Sequence, residues 1–397
     1  MSRMRELLER WACAGLCLLL AAASTPAIFG APLPAAKDVT VDQLEQLLKQ
    51  MRGQGDVKVA RQITNIKLTE RVSLARLAQW EAELAGERSR QALMAVADAS
   101  AFLAPPAADT PKLPPPDADT LQQILTRCMD YVKQRLPRLP DYFALRTTTA
   151  FAITTADRLE SMQDANELFQ KKHAPKLNYN ALGPAKSSDS PEQQYFWLGS
   201  YAQEVTYHGQ DEVVNTAPGA NGRQHESPYV LTTSGEFGSV LSVILVDVSQ
   251  DQMVWDHWEQ GSRGPLAVFH YSVPAERSHF WLHYANERSE HPAYHGEVAI
   301  DPESGAIWRI TLLTGGSESG FFAESSLVVD FAPTEIAEAR YICPVHSVAM
   351  IRYFDTFEYA NTAHTPVPFQ ISLNDVMFTN YHQFRSESHI LSGASAP

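Results

Sequence analysis

From Tyr142 the apolar pattern changes to a period of two, in segments separated by stretches such as 171–194 and 215–228, and that period does most to limit the folds open to the chain. Side chains alternate across a strand, so Trp308, Ile310 and Leu312 form one face of a segment whose other face carries Arg309 and Thr311. Strands are predicted at residues 143–154, 195–207, 266–273, 278–284, 296–300, 306–313, 327–331, 341–350, 369–373 and 376–381. The sharpest unit is a hairpin, 296–300 and 306–313, joined by Asp301-Pro302-Glu303-Ser304-Gly305. Short successive strands separated by turn residues predict an antiparallel sheet that curls. One helix is expected to interrupt it at 234–248. Thr233 and Glu236 make its capping box, and Phe237, Val240, Leu241, Ile244 and Val248 its face; its β-branched residues equally suit a buried strand.

Upstream the period is helical. Thr40 and Gln43 form a capping box ahead of Val41, Leu44, Leu47, Leu48 and Met51. Further short amphipathic helices are predicted from about Asp56, after Ser73 and from about Arg88, and such helices need packing partners to persist in water. Prolines 105, 106, 111, 114, 115 and 116 then exclude helix and favour an extended spacer. A helix over 119–136 follows, with Leu121, Ile124, Leu125, Cys128, Met129 and Val132 on a face wide enough to cover a sheet. The fold class expected is α+β: a small N-terminal helical region plus a curved antiparallel β-sheet, open and half-barrel-like, covered by helices. The organisation reads as a signal peptide at 1–31, a helical region at 38–103, a proline-rich linker at 104–118 and a helix-covered β-domain at 119–392.

The signal reading rests on Arg3, Arg5 and Arg10 ahead of the uncharged apolar run 11–23, with small residues after it and a cut near 27–31. That run is shorter than the roughly 20 residues of a spanning helix, and no later stretch approaches that length. No twin-arginine pair occurs and Cys17 lacks a lipobox, so general export to the periplasm or medium is expected, without a transmembrane anchor after cleavage. A net charge of −14 argues against nucleic acid, which is held through neutralised phosphates, and against docking on anionic lipid. Cys13 and Cys17 leave with the signal. An oxidising compartment permits Cys128 and Cys343 to form a disulfide, while the place of Cys128 on an apolar stripe equally suits a free thiol.

Local catalytic motifs are missing: no G-x-S-x-G, H-E-x-x-H, Walker loop, dinucleotide fingerprint or C-x-x-C occurs. No cofactor and no metal are expected. His279, His283, His291 and His295 crowd together, but on a strand His279 and His283 lie about 13 Å apart, too far to share one ion. Asp256 and Glu259 flank Trp258 in a pattern that fits either paired acid–base carboxylates or a Trp-rich surface. Aromatic residues are dense in the β-region. In a curled sheet Trp197, Phe269, Tyr271, Trp281 and Trp308 are the candidate lining of an apolar concavity; dense core packing is the competing use of such residues.

Arg90-Gln91-Ala92-Leu93, Asp98-Ala99-Ser100-Ala101-Phe102-Leu103, Gly235-Glu236-Phe237-Gly238-Ser239, Trp258-Glu259-Gln260-Gly261 and Asn380-Tyr381-His382-Gln383-Phe384 resemble a group of exported bacterial proteins of uncharacterised role, a resemblance that implies no activity. The segment from Gly296 to Gly305, with Asn380-Tyr381-His382-Gln383-Phe384-Arg385, is similar to the outer-membrane lipoprotein carrier and its lipoprotein-sorting relatives. That similarity implies a curved sheet closed by helices around a cavity for acyl chains; the N-terminal helices and proline spacer depart from it. The leading expectation is an exported cell-envelope protein binding an apolar or lipid-linked ligand in the sheet's concavity. One alternative is an assembly protein that meets an envelope partner through its N-terminal helices. The other is a hydrolase near Asp256 and Glu259 or near His279–His295.

Overall fold

Gln43 and Thr40 cap each other as their spacing predicts. The Gln43 backbone N–H donates to Thr40 Oγ1 at 3.3 Å, and that of Thr40 donates to Gln43 Oε1 at 3.0 Å. The cap opens α1 (Val41–Met51), followed by α2 (Asp56–Thr64), α3 (Leu74–Glu83) and α4 (Glu87–Asp98). Gly86 cannot cap α4 with a side chain, so Asp56, at the head of α2, accepts from the backbone N–H groups of Arg88 and Ser89 at 3.1 and 2.8 Å. A short parallel ribbon, β1 (Lys37–Val39) with β2 (Ile66–Leu68), ties the helices together. Three-residue strands carry too little alternation to be recognised in sequence. The proline-rich stretch leads into α5 (Ala118–Arg135).

The computed structural model describes residues 37–135, 140–154, 180–184, 194–208, 211–215, 247–248, 253–283, 289–316, 322–353 and 370–383. The signal expected at 1–31 and all but Asp247 and Val248 of the helix expected at 234–248 lie outside them.

Thirteen further strands follow: β3 (Tyr142–Thr154), β4 (Asn180–Pro184), β5 (Gln194–His208), β6 (Asp211–Asn215), β7 (Val254–Gly261), β8 (Gly264–Val273), β9 (Leu282–His283), β10 (Ser289–Glu290), β11 (Tyr294–Ile300), β12 (Ile307–Thr314), β13 (Phe322–Ile336), β14 (Ala339–Tyr353) and β15 (Gln370–Gln383). Eleven of these form one antiparallel sheet in the order β4-β5-β3-β15-β14-β13-β12-β11-β8-β7, with β6 paired to β5, and the sheet does not close into a barrel. The hairpin read at 296–313 is β11–β12. Residues 369–373 and 376–381 merge into β15, because the intervening Asn374 and Asp375 are buried ladder residues rather than a break. The segment 278–284 shrinks to β9, which pairs only with β10. The Trp-rich β7 escapes recognition because a bulge at Trp255/His257 interrupts its alternation.

Both faces of the sheet are covered. On one face Phe151, Val328, Val348 and Leu373 share a core with Leu44, Ile63, Trp80, Leu93 and Val96 of the N-terminal helices. On the other, Phe269, Val298, Ile310, Leu312 and Val329 pack against Ile124, Leu125 and Cys128 of α5. Residues 36–397 accordingly gather into one compact unit. The stripes of α1–α4 are spent on the sheet, and Val57 and Leu103 are the large apolar residues left exposed in that segment. Gly296 is fixed by the α5 side: a Cβ there would lie 1.9 Å from the Thr311 carbonyl oxygen, beside the 2.6 Å hydrogen bond that Tyr271 Oη donates to the same atom.

No helix among the described residues is long and apolar enough to cross a membrane. The disulfide expectation is corrected: Cys128 and Cys343 are free thiols, each buried in a different core. Each fills space as a small hydrophobe, and burial pushes both thiols up to about 12.

Candidate functional site

The five aromatic candidates do not converge. Phe269 and Tyr271 are fully packed beneath α5, whereas Trp197 lies against the core shared with the N-terminal helices. Trp281, 52 % exposed, lies against His291 with the ring planes tilted by 57°. Of the five, Trp308 lines a cleft among the described residues. It walls a cleft of about 340 Å³ between the C-terminal turns of α5 and β12–β14, with Val132, Ile307, Phe331 and Ile342 as its apolar surface. Arg263 and Arg340 stand on its rim, and neither makes an ion pair among the described residues. Trp308 Nε1 is buried without a hydrogen-bond acceptor. An indole N–H left unpaired in the interior costs desolvation energy.

A second groove, about 460 Å³, lies between the Phe102–Pro105 segment and β7, β8 and β11. It brings together Asp256, His257, His270, His295 and Glu297, which the sequence had placed in separate neighbourhoods. His257 Nδ1 meets Asp256 Oδ2 at 3.0 Å, and the His270 and His295 rings lie 6.0 Å apart. No serine or cysteine lines the groove, and the hydroxyls of Thr110 and Thr311 are engaged with backbone groups. His279 is held apart from it by Asp247, which also accepts from Tyr294 Oη at 2.7 Å. His283 pairs across β9–β10 with Ser289.

Glu259 is no acid–base partner for Asp256. Its two carboxylate oxygens accept from Arg309 Nη1 and Nη2 at 2.6 and 2.5 Å, and Arg71 Nη2 lies 2.8 Å from Oε1. Burial alone would raise the Glu259 pKa, but the hydrogen bonds and charge of Arg309, with Arg71 behind them, hold it at about 2. A depressed folded-state pKa gives stability that is present above the unfolded value of 4.5 and lost as pH falls toward 2. That difference corresponds to about 3 kcal/mol. Urea unfolding from pH 6 to pH 2.5 should therefore show wild type losing stability relative to Glu259→Gln across that window; parallel profiles would disprove the assignment.

A chain of buried polar groups continues along the sheet face beneath the N-terminal helices. Arg309 stands opposite Asp330, Asp330 opposite His346, and Asp375 diagonal to His346, so all four point to the same face. His346 Nε2 meets Asp375 Oδ2 at 2.7 Å and Nδ1 meets Asp330 Oδ2 at 3.3 Å. Burial would lower the imidazole pKa, but its bonds to Asp330 and Asp375 outweigh that and raise it well above the ordinary value. Asp98, at the end of α4, and Glu81 of α3 approach from the helices. Burial and the nearby Asp375 raise both carboxyls, Asp98 strongly. Sequence spacing could not have revealed this group, whose members come from two helices and four strands.

Compared with protein-family models, curated proteins and solved structures, the chain matches none.

Proposed function

We propose that this is an exported cell-envelope protein, periplasmic or secreted, that binds an apolar molecule carrying an anionic head in the cleft beside α5. The observation that carries the reading is an apolar cleft walled by Trp308, bordered by the guanidinium groups of Arg263 and Arg340, which make no ion pair among the described residues. The volume falls within the range of small-ligand sites, and the polar groups are few and convergent, as such sites require. An acyl chain would lie against Val132, Ile307 and Phe331, while a carboxylate or phosphate would take the arginines. The export pattern of residues 1–31 and the resemblance to lipoprotein carriers agree with a lipid-linked ligand. The assembly alternative loses its support, since the apolar stripes of α1–α4 are buried against the sheet.

A fluorescent fatty-acid analogue with a free carboxylate, titrated into the purified chain, should bind saturably. Arg340→Gln should weaken binding about tenfold, the loss of one charge-assisted contact, and Trp308→Phe by a smaller factor. The methyl ester of the same probe should resemble the Arg340→Gln result. Equal affinity of wild type and both variants for the acid would sink the reading.

A further inference from the structure

We propose that Asp98, His346 and Asp375 form a cation site, matched best to Zn²⁺, that pins the last turn of α4 to β14 and β15. Each residue offers one donor atom, and the three donors lie within 4.8 Å of one another. All three side chains are buried, at 3 % exposure each. Asp98 Oδ2 has no hydrogen-bond partner among the described residues, and neither has the buried Glu81 Oε1. An unpaired buried carboxylate oxygen is costly, and it signals that a cation or a proton completes the group.

Either completion can neutralise the group, a proton on Asp98 alongside a protonated His346 or a divalent cation alongside a neutral His346, so the metal titration has to separate them. Asp330 is shared with Arg309 and Arg71, and Arg90 acts on Glu81, which leaves two carboxylates against one imidazole. With His346 protonated the trio still carries one surplus negative charge in the interior. A divalent ion with neutral His346 makes it electroneutral.

The donor set, one imidazole and two carboxylates, is one that Zn²⁺ accepts, and the imidazole favours it over Mg²⁺ or Ca²⁺. Asp330 at Nδ1 is placed to accept the imidazole N–H and aim Nε2 at the ion, the carboxylate–histidine relay usual behind metal ligands. Around zinc at about 2.0–2.1 Å the donors would stand about 3.4 Å apart. The present 2.7 Å between Nε2 and Asp375 Oδ2 would therefore open slightly while Asp98 closes in, which side-chain torsions alone can supply. The site lies on the sheet face opposite α5, independent of the ligand cleft.

Purified full chain, stripped with EDTA and dialysed, is titrated with Zn²⁺ against a chromophoric competitor, and thermal unfolding is followed with and without the metal. One equivalent should bind, and the unfolding midpoint should rise by several degrees, because the ion binds only the folded state. Asp98→Asn keeps shape and volume; it should weaken Zn²⁺ binding at least about tenfold and abolish the midpoint shift, while the metal-free midpoint stays at or above that of wild type. This variant carries the test should His346→Gln fail to fold. A midpoint in wild type indifferent to Zn²⁺ would overturn the proposal and leave a proton on Asp98 as the neutralising group. Equal zinc affinity in wild type and Asp98→Asn would also overturn it, placing the ion elsewhere, as at the His257–His270–His295 groove.

Discussion

Glu259→Gln is expected to lower the unfolding free energy by about 3–5 kcal/mol at neutral pH, the range for removing one partner of a buried ion pair. The amide keeps the volume and can still accept one bond, but it removes the charge that answers both Arg71 and Arg309. Those guanidinium side chains are only 11 % and 9 % exposed, so water cannot replace the carboxylate. The effect should not be confined to β7. Arg71 belongs to the connection between β2 and α3, so the carboxylate fastens the helical segment to the far edge of the sheet. Proteolysis within the neighbouring proline-rich stretch, where Pro114 O accepts from Trp258 Nε1 at 3.0 Å, should accelerate in the variant. Urea denaturation gives the magnitude. A loss below about 1 kcal/mol would mean that the pair behaves as a surface bridge. Replacing Glu259 and Arg309 together by Leu and Met should recover part of the loss, because apolar residues of similar volume can substitute for a buried pair.

Gly305→Ala should cost about 2–5 kcal/mol and weaken the ligand cleft in the same step. Gly305 closes the β11–β12 turn with φ +74°, a left-handed conformation that costs an L residue about 1–2 kcal/mol. A Cβ there would also lie 2.4 Å from the Arg127 carbonyl carbon and oxygen and 2.7 Å from the Cys128 nitrogen. That is helix backbone, which cannot rotate aside, so overpacking adds about 1–3 kcal/mol. The turn must therefore retreat from α5. It would lose the 2.8 Å hydrogen bond that Arg127 Nη1 donates to Pro302 O, and the contact of Cys128 with the core beneath. Ser304, Ala306 and Trp308 of this hairpin face Tyr131 and Val132 of the helix across the cleft. Fatty-acid-analogue affinity should consequently fall together with stability, whereas Glu259→Gln leaves affinity unchanged in the folded protein. Unaltered stability in Gly305→Ala would show that α5 is not seated on this turn.

Much of the architecture could be read from local pattern. Alternation placed the long strands, and the Thr40 cap, Ser73, Gly305 and the α5 stripe marked their elements correctly, because each depends on residues a turn or two apart. Reading failed where neighbours in space overrode neighbours in sequence. Asn374 and Asp375 looked like a strand break because polar pairs usually face water; here Asp375 is buried against His346. Trp258 and Glu259 looked like surface or catalysis, but two arginines distant in the chain claim the carboxylate. The aromatic set was chosen by density, and density cannot tell which face of a sheet a ring occupies once both faces are covered. Of the five, Trp308 is the one that lines a cleft among the described residues.

By itself the sequence determined the α+β class, the period of the long elements and the hairpin at 296–313, since these are written in short-range spacing and composition. Tertiary structure alone decided that both faces of the sheet are covered, that Cys128 and Cys343 remain apart, and that the period-two region which most limits the fold also carries a buried polar row. Alternation specifies a face but not what will be packed against it. Whether Arg309, Asp330, His346 and Asp375 meet solvent or the ends of α3 and α4 depends on strand order and register, and no local pattern encodes either.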